Sequence, residues 1–310
     1  MNLTANSPFV LRLWGYLQQR FPFQNGILFL ILFISAQVFS NFLNQQNSYS
    51  FGWVEILGFI AVYFFFFVLR VFDEHKDYEI DCLNHPERIL QKGLIKLQHL
   101  KIIAIGGVVF QFIYCIWLAP SGLYFWLIAF SFSVLMAKDF FIESFLHKHL
   151  FIMMFTHAPV TPLVIIWMMT MSTLLGFSVL AICFILTCLC CGIAFEISRK
   201  IKCPEDEVKT VDSYSQVVGY KAASIYAFSA LFVSTLLLSY ILYAIISLSI
   251  FLCIPILLLM LSAYVFWQFI KNPTRKKAKT LEITASVYML LMYLILLAAL
   301  LTKMEWVWNF

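Results

Sequence analysis

The sequence predicts an all-α integral membrane protein with nine transmembrane helices, and three observations carry that prediction. The first is composition. Of 310 residues, 62% are hydrophobic and only 12% charged, with a mean hydropathy of +0.89, whereas soluble domains carry about 25% charged residues. A soluble globular protein, a disordered chain and a disulfide scaffold are thereby excluded. The second is where charge is missing: residues 102–137, 149–195 and 222–270 contain no Asp, Glu, Lys or Arg, and 21–69 contains only Glu55. A span takes about 20 residues at 1.5 Å each, so each tract fits a hairpin of two helices, and 283–302 fits one more. The third is basic asymmetry. With nine spans, 20 of the 21 Lys and Arg residues fall on one side, leaving Lys303 alone on the other, which predicts a cytoplasmic N-terminus.

Taken in order, the chain reads as one membrane domain over 1–310. Residues 1–23 form an N-terminal segment in which Asn6-Ser7-Pro8 predicts a cap, with Pro at the first helical position of a helix lying in the membrane interface. A cleaved signal peptide is not expected, because 26 largely non-basic residues precede the first apolar stretch and no small-residue cleavage site follows. Residues 24–302 hold the nine-helix bundle, and 303–310 a short tail on the non-cytoplasmic side. The eight cysteines sit mostly inside spans without ligand spacing and read as small membrane hydrophobes. His75, His85 and His99 show no zinc spacing. A net charge of +5 is too small to argue for a nucleic-acid partner and suits contact with anionic lipid; Arg275-Lys276-Lys277 with Lys279 reads as a lipid-headgroup patch.

The acids are concentrated. Eleven of 16 lie in two connections, after the second and sixth spans, and four intervening spans put both on one side of the membrane. The first connection continues a helix out of span two. At 100° per residue, Asp73, Glu74, Asp77 and Asp81 share one face while Glu79 points away. Like charges at i,i+4 oppose a helix, so a compensating cation is expected. Arg70, on the same face, is one candidate. A pair of Mg²⁺ ions is the other, since this ion takes one or two carboxylates together with phosphate oxygens.

The run D-E-x-x-D-x-x-x-D from Asp73 to Asp81, followed by Asn84-His85-Pro86-Glu87-Arg88-Ile89-Leu90-Gln91-Lys92-Gly93, resembles the N-D-x-x-D-x-x-x-D motif and downstream R-P-L-x-x-G run of the UbiA superfamily of intramembrane prenyltransferases. The resemblance implies a nine-helix bundle with an active-site cavity facing the cytoplasm, and Mg²⁺ bridging two acidic loops to a prenyl diphosphate. Asp73 stands at the family's Asn, Glu74 at its first Asp, and Asp77 and Asp81 at its second and third. Arg70, Arg88 and Lys92 become candidates for the diphosphate oxygens.

In the second loop the family has two Asp at i,i+4, then Ser or Thr about six residues before a Gly; Ser213 and Gly219 match the latter. Glu196 stands at the first Asp, but Lys200 occupies the second. Either Glu196 and Lys200 form a helix pair worth about 0.3–0.5 kcal/mol, or Glu196 binds the second metal while Arg199 and Lys200 touch the diphosphate. Glu205, Asp206 or Asp212 are further sources of a carboxylate.

Within span five, Phe155-Thr156-His157-Ala158-Pro159-Val160-Thr161-Pro162 places an ionisable ring at membrane depth, by default a functional candidate. Its alternative role is structural, bonding backbone freed by the prolines. As a catalytic residue, His157 would serve the acceptor as hydrogen-bond partner or proton acceptor. The expected activity is Mg²⁺-dependent transfer of a prenyl group from an isoprenoid diphosphate to a lipophilic acceptor, aromatic by the resemblance alone. Rivals are a membrane terpene cyclase on the same scaffold, a scaffold that binds isoprenoid diphosphate without turnover, and a divalent-cation transporter. The last is disfavoured because the spans carry almost no acids.

Overall fold

The computed structural model describes residues 3–173, 178–208, 212–247 and 250–310. Among these, nine helical segments are long and apolar enough to cross a membrane. A short helix α1 (Phe9–Arg20) precedes the first span, α2 (Gln24–Leu43). Strand β1 (Ser48–Gly52) leads into the second, α3 (Trp53–Lys76), which passes at Asp77 into α4 (Tyr78–Asn84). The third and fourth spans are α5 (Leu97–Trp117) and α6 (Leu123–Ala137). After α7 (Glu143–Leu146), the fifth span is built from α8 (Leu150–His157) and α9 (Val160–Thr170). The remaining four are α10 (Val179–Arg199), α11 (Tyr214–Ile246), α12 (Cys253–Lys271) and α13 (Arg275–Leu301), followed by strand β2 (Glu305–Asn309).

Helix starts follow local chemistry. Ser178, Ser213 and Thr274 each accept a hydrogen bond from a backbone N–H in the first turn of α10, α11 and α13, satisfying a donor that has no partner inside the helix. Two expectations shift. Pro8 is itself the N-cap of α1, one position earlier than Pro at the first helical turn would require. The last span starts at Arg275 rather than near 283, because Thr274 caps it and the basic run extends the helix beyond its apolar part.

The main core gathers Phe33, Phe39, Phe65, Trp167, Phe184, Phe269 and Tyr288 from many spans. A smaller core at the end that carries the first acid cluster joins Tyr16 and Phe21, at α1, to Val68 and Val71 of α3 and to Leu90, Ile95 and Leu100. On α5 the outward residues Ile102, Ile105, Val109, Phe112, Ile113 and Ile116 are exposed at helical spacing, the apolar stripe that lipid contact needs. At the opposite end β1 and β2 pair in parallel, Tyr49 beside Trp306 and Phe51 beside Trp308.

Candidate active site at one end of the bundle

The first acid cluster spans the α3–α4 junction. The N–H of Asp77 donates to the Asp73 carbonyl and that of Asp81 to the Asp77 carbonyl, both at 2.8 Å, so the i,i+4 geometry persists through the junction and the three Asp stack on one side. Their environments differ. The Asp73 side chain is half exposed, with Arg70 Nη1 at 3.5 Å. Glu74 is 1% exposed, and its Oε1 accepts from Arg20 Nε at 2.6 Å and Arg70 Nε at 3.1 Å, while Oε2 is buried with no hydrogen-bond partner among the described residues. Asp77 makes no ion pair among the described residues; burial pushes its carboxyl above the usual range, against the pull of Lys76. Asp81 Oδ2 accepts from Arg20 Nη2 at 3.1 Å and lies 2.7 Å from Arg88 Nη1 as an ion pair.

Arg20 links two of the four acids, and no feature of the sequence pointed to it. It arrives from α1, which is fastened beside the cluster. Arg12 Nη1 donates to the Leu94 carbonyl at 2.9 Å, the Ile89 N–H donates to Gln19 Oε1 at 3.0 Å, and Tyr16 is fully buried. The segment after Arg88 turns at Gly93, whose φ of +70° lies in the left-handed region that costs a side-chain-bearing residue about 1–2 kcal/mol. Lys92, just before it, is exposed and without an ion pair among the described residues.

The second loop is arranged differently. Glu196 accepts from Arg199 Nη2 at 2.6 Å and from Lys200 Nζ at 2.9 Å, one cation for each oxygen. The charges of Arg199 and Asp73 influence one another, so the ends of α3 and α10 lie at the same end of the bundle. Of the other loop acids, Glu207 accepts from the Ser213 hydroxyl at 2.7 Å, Asp206 lies 3.8 Å from Arg275, and Glu205 and Asp212 are exposed. Gly219, with φ +81°, kinks α11 one turn after its start. Both glycines that the motifs supply therefore occupy backbone conformations that favour glycine.

His157 ends α8, at the break before α9. Its Nδ1 lies 2.8 Å from the Met153 carbonyl and its Nε2 lies 3.3 Å from Asp139 Oδ1. Asp139, in the connection after α6, is 2% exposed, with Lys76 Nζ at 2.6 Å from Oδ1 and His147 Nε2 at 3.8 Å from Oδ2. The backbone at Asp139, Phe140 and Phe141 has φ of +46°, +52° and +61°. Three successive non-glycine residues in this region are strained, and strain of this kind gathers at functional sites. The only sequence signal was an acid next to Lys138, just past the uncharged tract 102–137. Donor atoms of Asp139, Glu143 and His147 fall within 4.8 Å of one another, but the buried member already has an ammonium at 2.6 Å, which balances its charge without a metal.

Two cavities, of about 560 and 230 Å³, lie at the opposite end, lined by Gln37, Asn41, Tyr49, Glu55 and Tyr114 among others. Glu55 begins α3 and Asp73 is close to its end, so these cavities are a helix length from the acid clusters. The ion-paired end is the candidate site because it joins carboxylates, arginines and an ionisable ring from five segments of chain.

Nine apolar spans make the chain an integral, multi-pass membrane protein. The sequence model of the UbiA prenyltransferase family matches residues 45–287, so the chain belongs to that family and is a membrane prenyltransferase. Its fold is also similar, with a TM-score of 0.65, to a solved structure described under "Structural and mechanistic insights into the biosynthesis of Digeranylgeranylglyceryl phosphate synthase in membranes"; the two are 21% identical over 94% of this chain and 99% of the other. No curated protein matches the sequence. Arg12, Arg20 and strand β2 lie outside the matched region.

Proposed function

We propose that the protein transfers a prenyl group from a Mg²⁺-bound isoprenoid diphosphate to a lipophilic acceptor, aromatic in the family's commonest activity, at the acid-bearing end of the bundle. We place that end at the cytoplasmic face, on the strength of the basic asymmetry. The observation that carries the reading is the convergence of Asp73, Glu74, Asp77 and Asp81 with Arg20, Arg70, Arg88 and Arg199.

The donor set fits Mg²⁺. Asp77 makes no ion pair among the described residues and Asp73, one turn before it, engages Arg70 through Oδ2 alone, and Mg²⁺ favours one or two carboxylates with phosphate oxygens completing its shell. The orphaned Oε2 of Glu74 is a further oxygen at the same place, while Glu196 would have to exchange a cation for the metal. When bound, Mg²⁺ neutralises charge on the departing diphosphate. Arg70, Arg88 and Lys92 from the first connection, and Arg199 and Lys200 from the second, supply N–H donors to its oxygens. Glu74 and Asp81 hold the arginines at this end in place. His157 is assigned to the acceptor substrate as hydrogen-bond partner or proton acceptor; with Nδ1 against the Met153 carbonyl and Nε2 facing Asp139, the ring has to turn from Asp139 to meet it. The apolar spans exclude water from the developing allylic cation.

The test incubates purified protein with Mg²⁺ and labelled C10 to C20 prenyl diphosphates, with and without phenol acceptors, and measures diphosphate release. Acceptor-dependent release, lost with EDTA, is expected. Release that needs no acceptor would replace transfer with cyclisation, and absence of binding to any prenyl diphosphate would remove the reading.

A further inference from the structure

The end opposite the acid clusters holds polar groups that the transfer reaction does not use. Its two cavities, of about 560 and 230 Å³, share Ser50, Glu55 and Ser172 in their walls. All eight residues around the smaller one carry a side-chain oxygen, Asn41, Gln46, Tyr49 and Thr173 among them. The larger one adds aromatic walls from Phe33, Trp53 and Tyr114. Neither is lined by Lys, Arg or His. Glu55 is the one charged side chain in these walls, and it makes no ion pair among the described residues.

Two groups there lack the partner that their chemistry asks for. Glu55 Oε2 accepts from the Gly52 N–H at 2.7 Å, so capping α3 takes one carboxylate oxygen and leaves Oε1. Tyr49 is 1% exposed, and its hydroxyl is buried with no hydrogen-bond partner among the described residues. A buried hydroxyl in that state is destabilising unless something in the cavity completes it. Burial pushes this phenol well above its usual range, and the charge of Glu55 pushes the same way, so the two groups share one neighbourhood. The Tyr49 ring sits edge-on to Trp306, centroids 5.2 Å apart, and the pairing of β1 with β2 holds both. Packing, rather than a bond of its own, therefore places the hydroxyl.

We propose that the two cavities form one site for a primary ammonium group, carried by an aminolipid headgroup or by a free amine, with Glu55 as its counter-charge; the site is independent of the transfer reaction. An ammonium brings three N–H donors and no acceptor, which suits walls made of oxygens, here Glu55 Oε1 with the hydroxyls of Tyr49 and Ser50. Its carbon chain faces Phe33, Trp53 and Tyr114, and aromatic faces also attract a cation. Other ligand classes fit less well. An anion would meet a carboxylate and no basic group. A neutral polyol would leave that carboxylate without a counter-charge, and a bare metal ion would leave the aromatic cavity without an occupant.

The experiment titrates the full-length protein, in maltoside micelles, with dihexanoyl-phosphatidylethanolamine, with its phosphatidylcholine and phosphatidylglycerol counterparts, and with ethanolamine, and follows binding by calorimetry. Saturable binding of a primary amine, at least 10-fold tighter than that of the choline and glycerol lipids, is expected. Glu55→Gln keeps an oxygen for the Gly52 N–H and removes the charge, so the unfolding temperature should hold while affinity falls at least 10-fold. Tyr49→Phe removes only the unpartnered hydroxyl and should weaken binding about 3-fold. Binding of the lipid without ethanolamine assigns the site to a headgroup; ethanolamine binding as tightly as the lipid assigns it to a free amine. Absence of saturable binding, equal affinity for the three lipids, or an affinity that both variants leave unchanged would overturn the site.

Discussion

The two acidic connections reach charge balance by opposite routes. In the first, buried Glu74 and partly exposed Asp81 are balanced by cations brought from elsewhere in the fold, Arg20 from α1 and Arg88 from beyond α4, together with Arg70 one turn back. In the second, Glu196 is balanced by Arg199 and Lys200, three and four residues along its own helix. The first is a tertiary network in which each cation is fixed by packing; the second would form on an isolated helix. Acids that look equivalent in a list of motif residues therefore differ in what they do. Asp73 and Asp77 keep oxygens free for a ligand, Glu74 and Asp81 anchor arginines, and Glu196 is already satisfied.

The largest expected effect separates free from anchoring carboxylates. Asp77→Ala should lower diphosphate release at least 100-fold, because it removes a metal donor, while thermal unfolding in detergent stays within a degree or two of the unmutated protein. An Asp77→Ala protein that keeps its activity would move the metal to the second connection. Next in size is Arg20→Ala. Removing one partner of a buried ion pair costs about 3–5 kcal/mol when the remaining charge is left alone. Arg70 stays on Glu74 and Arg88 on Asp81, so about half that loss is expected, read as a lower unfolding temperature. Arg20→Lys should recover only part of it, since an ammonium cannot reproduce the guanidinium's separate Nε and Nη2 contacts. A protein unchanged by Arg20→Ala would mean that α1 only rests on the bundle.

How far these sites are legible in the sequence follows the same division. Local relations can be read directly. The uncharged tracts give the spans, 100° per residue puts Asp73, Asp77 and Asp81 on one face, and i,i+4 spacing anticipates the Glu196–Lys200 pair. Contacts made by folding cannot be read that way. Arg20 is more than 50 residues from Glu74, and its interfacial helix looks like a plain anchor until Tyr16 and Arg12 dock it. Asp139 appears as one acid between spans, and only its left-handed backbone turns it toward Lys76 and His157. The last eight residues read as a tail because a five-residue strand is visible only beside its partner, here β1. His157 lies between the two classes. The flanking prolines marked a break in span five, but the carboxylate that faces its ring came from another loop.

The smallest expected effect is the most informative about the second connection. Glu196 and Lys200 are both about 30% exposed, so their attraction is screened, and an i,i+4 pair of this kind contributes about 0.3–0.5 kcal/mol. Lys200→Ala should therefore leave the unfolding temperature unchanged within error. If the pair is only a helix contact, activity should also be unchanged. If Lys200 turns from Glu196 to the diphosphate when substrate binds, KM for the prenyl diphosphate should rise about 10-fold, roughly 1.4 kcal/mol, with little change in kcat. The same exchange would free one oxygen of Glu196 for a second Mg²⁺, so Glu196→Gln should then steepen the dependence of rate on Mg²⁺ concentration. A raised KM in Lys200→Ala with no Mg²⁺ effect in Glu196→Gln would assign the second connection to the phosphate alone, and the metal to Asp73 and Asp77.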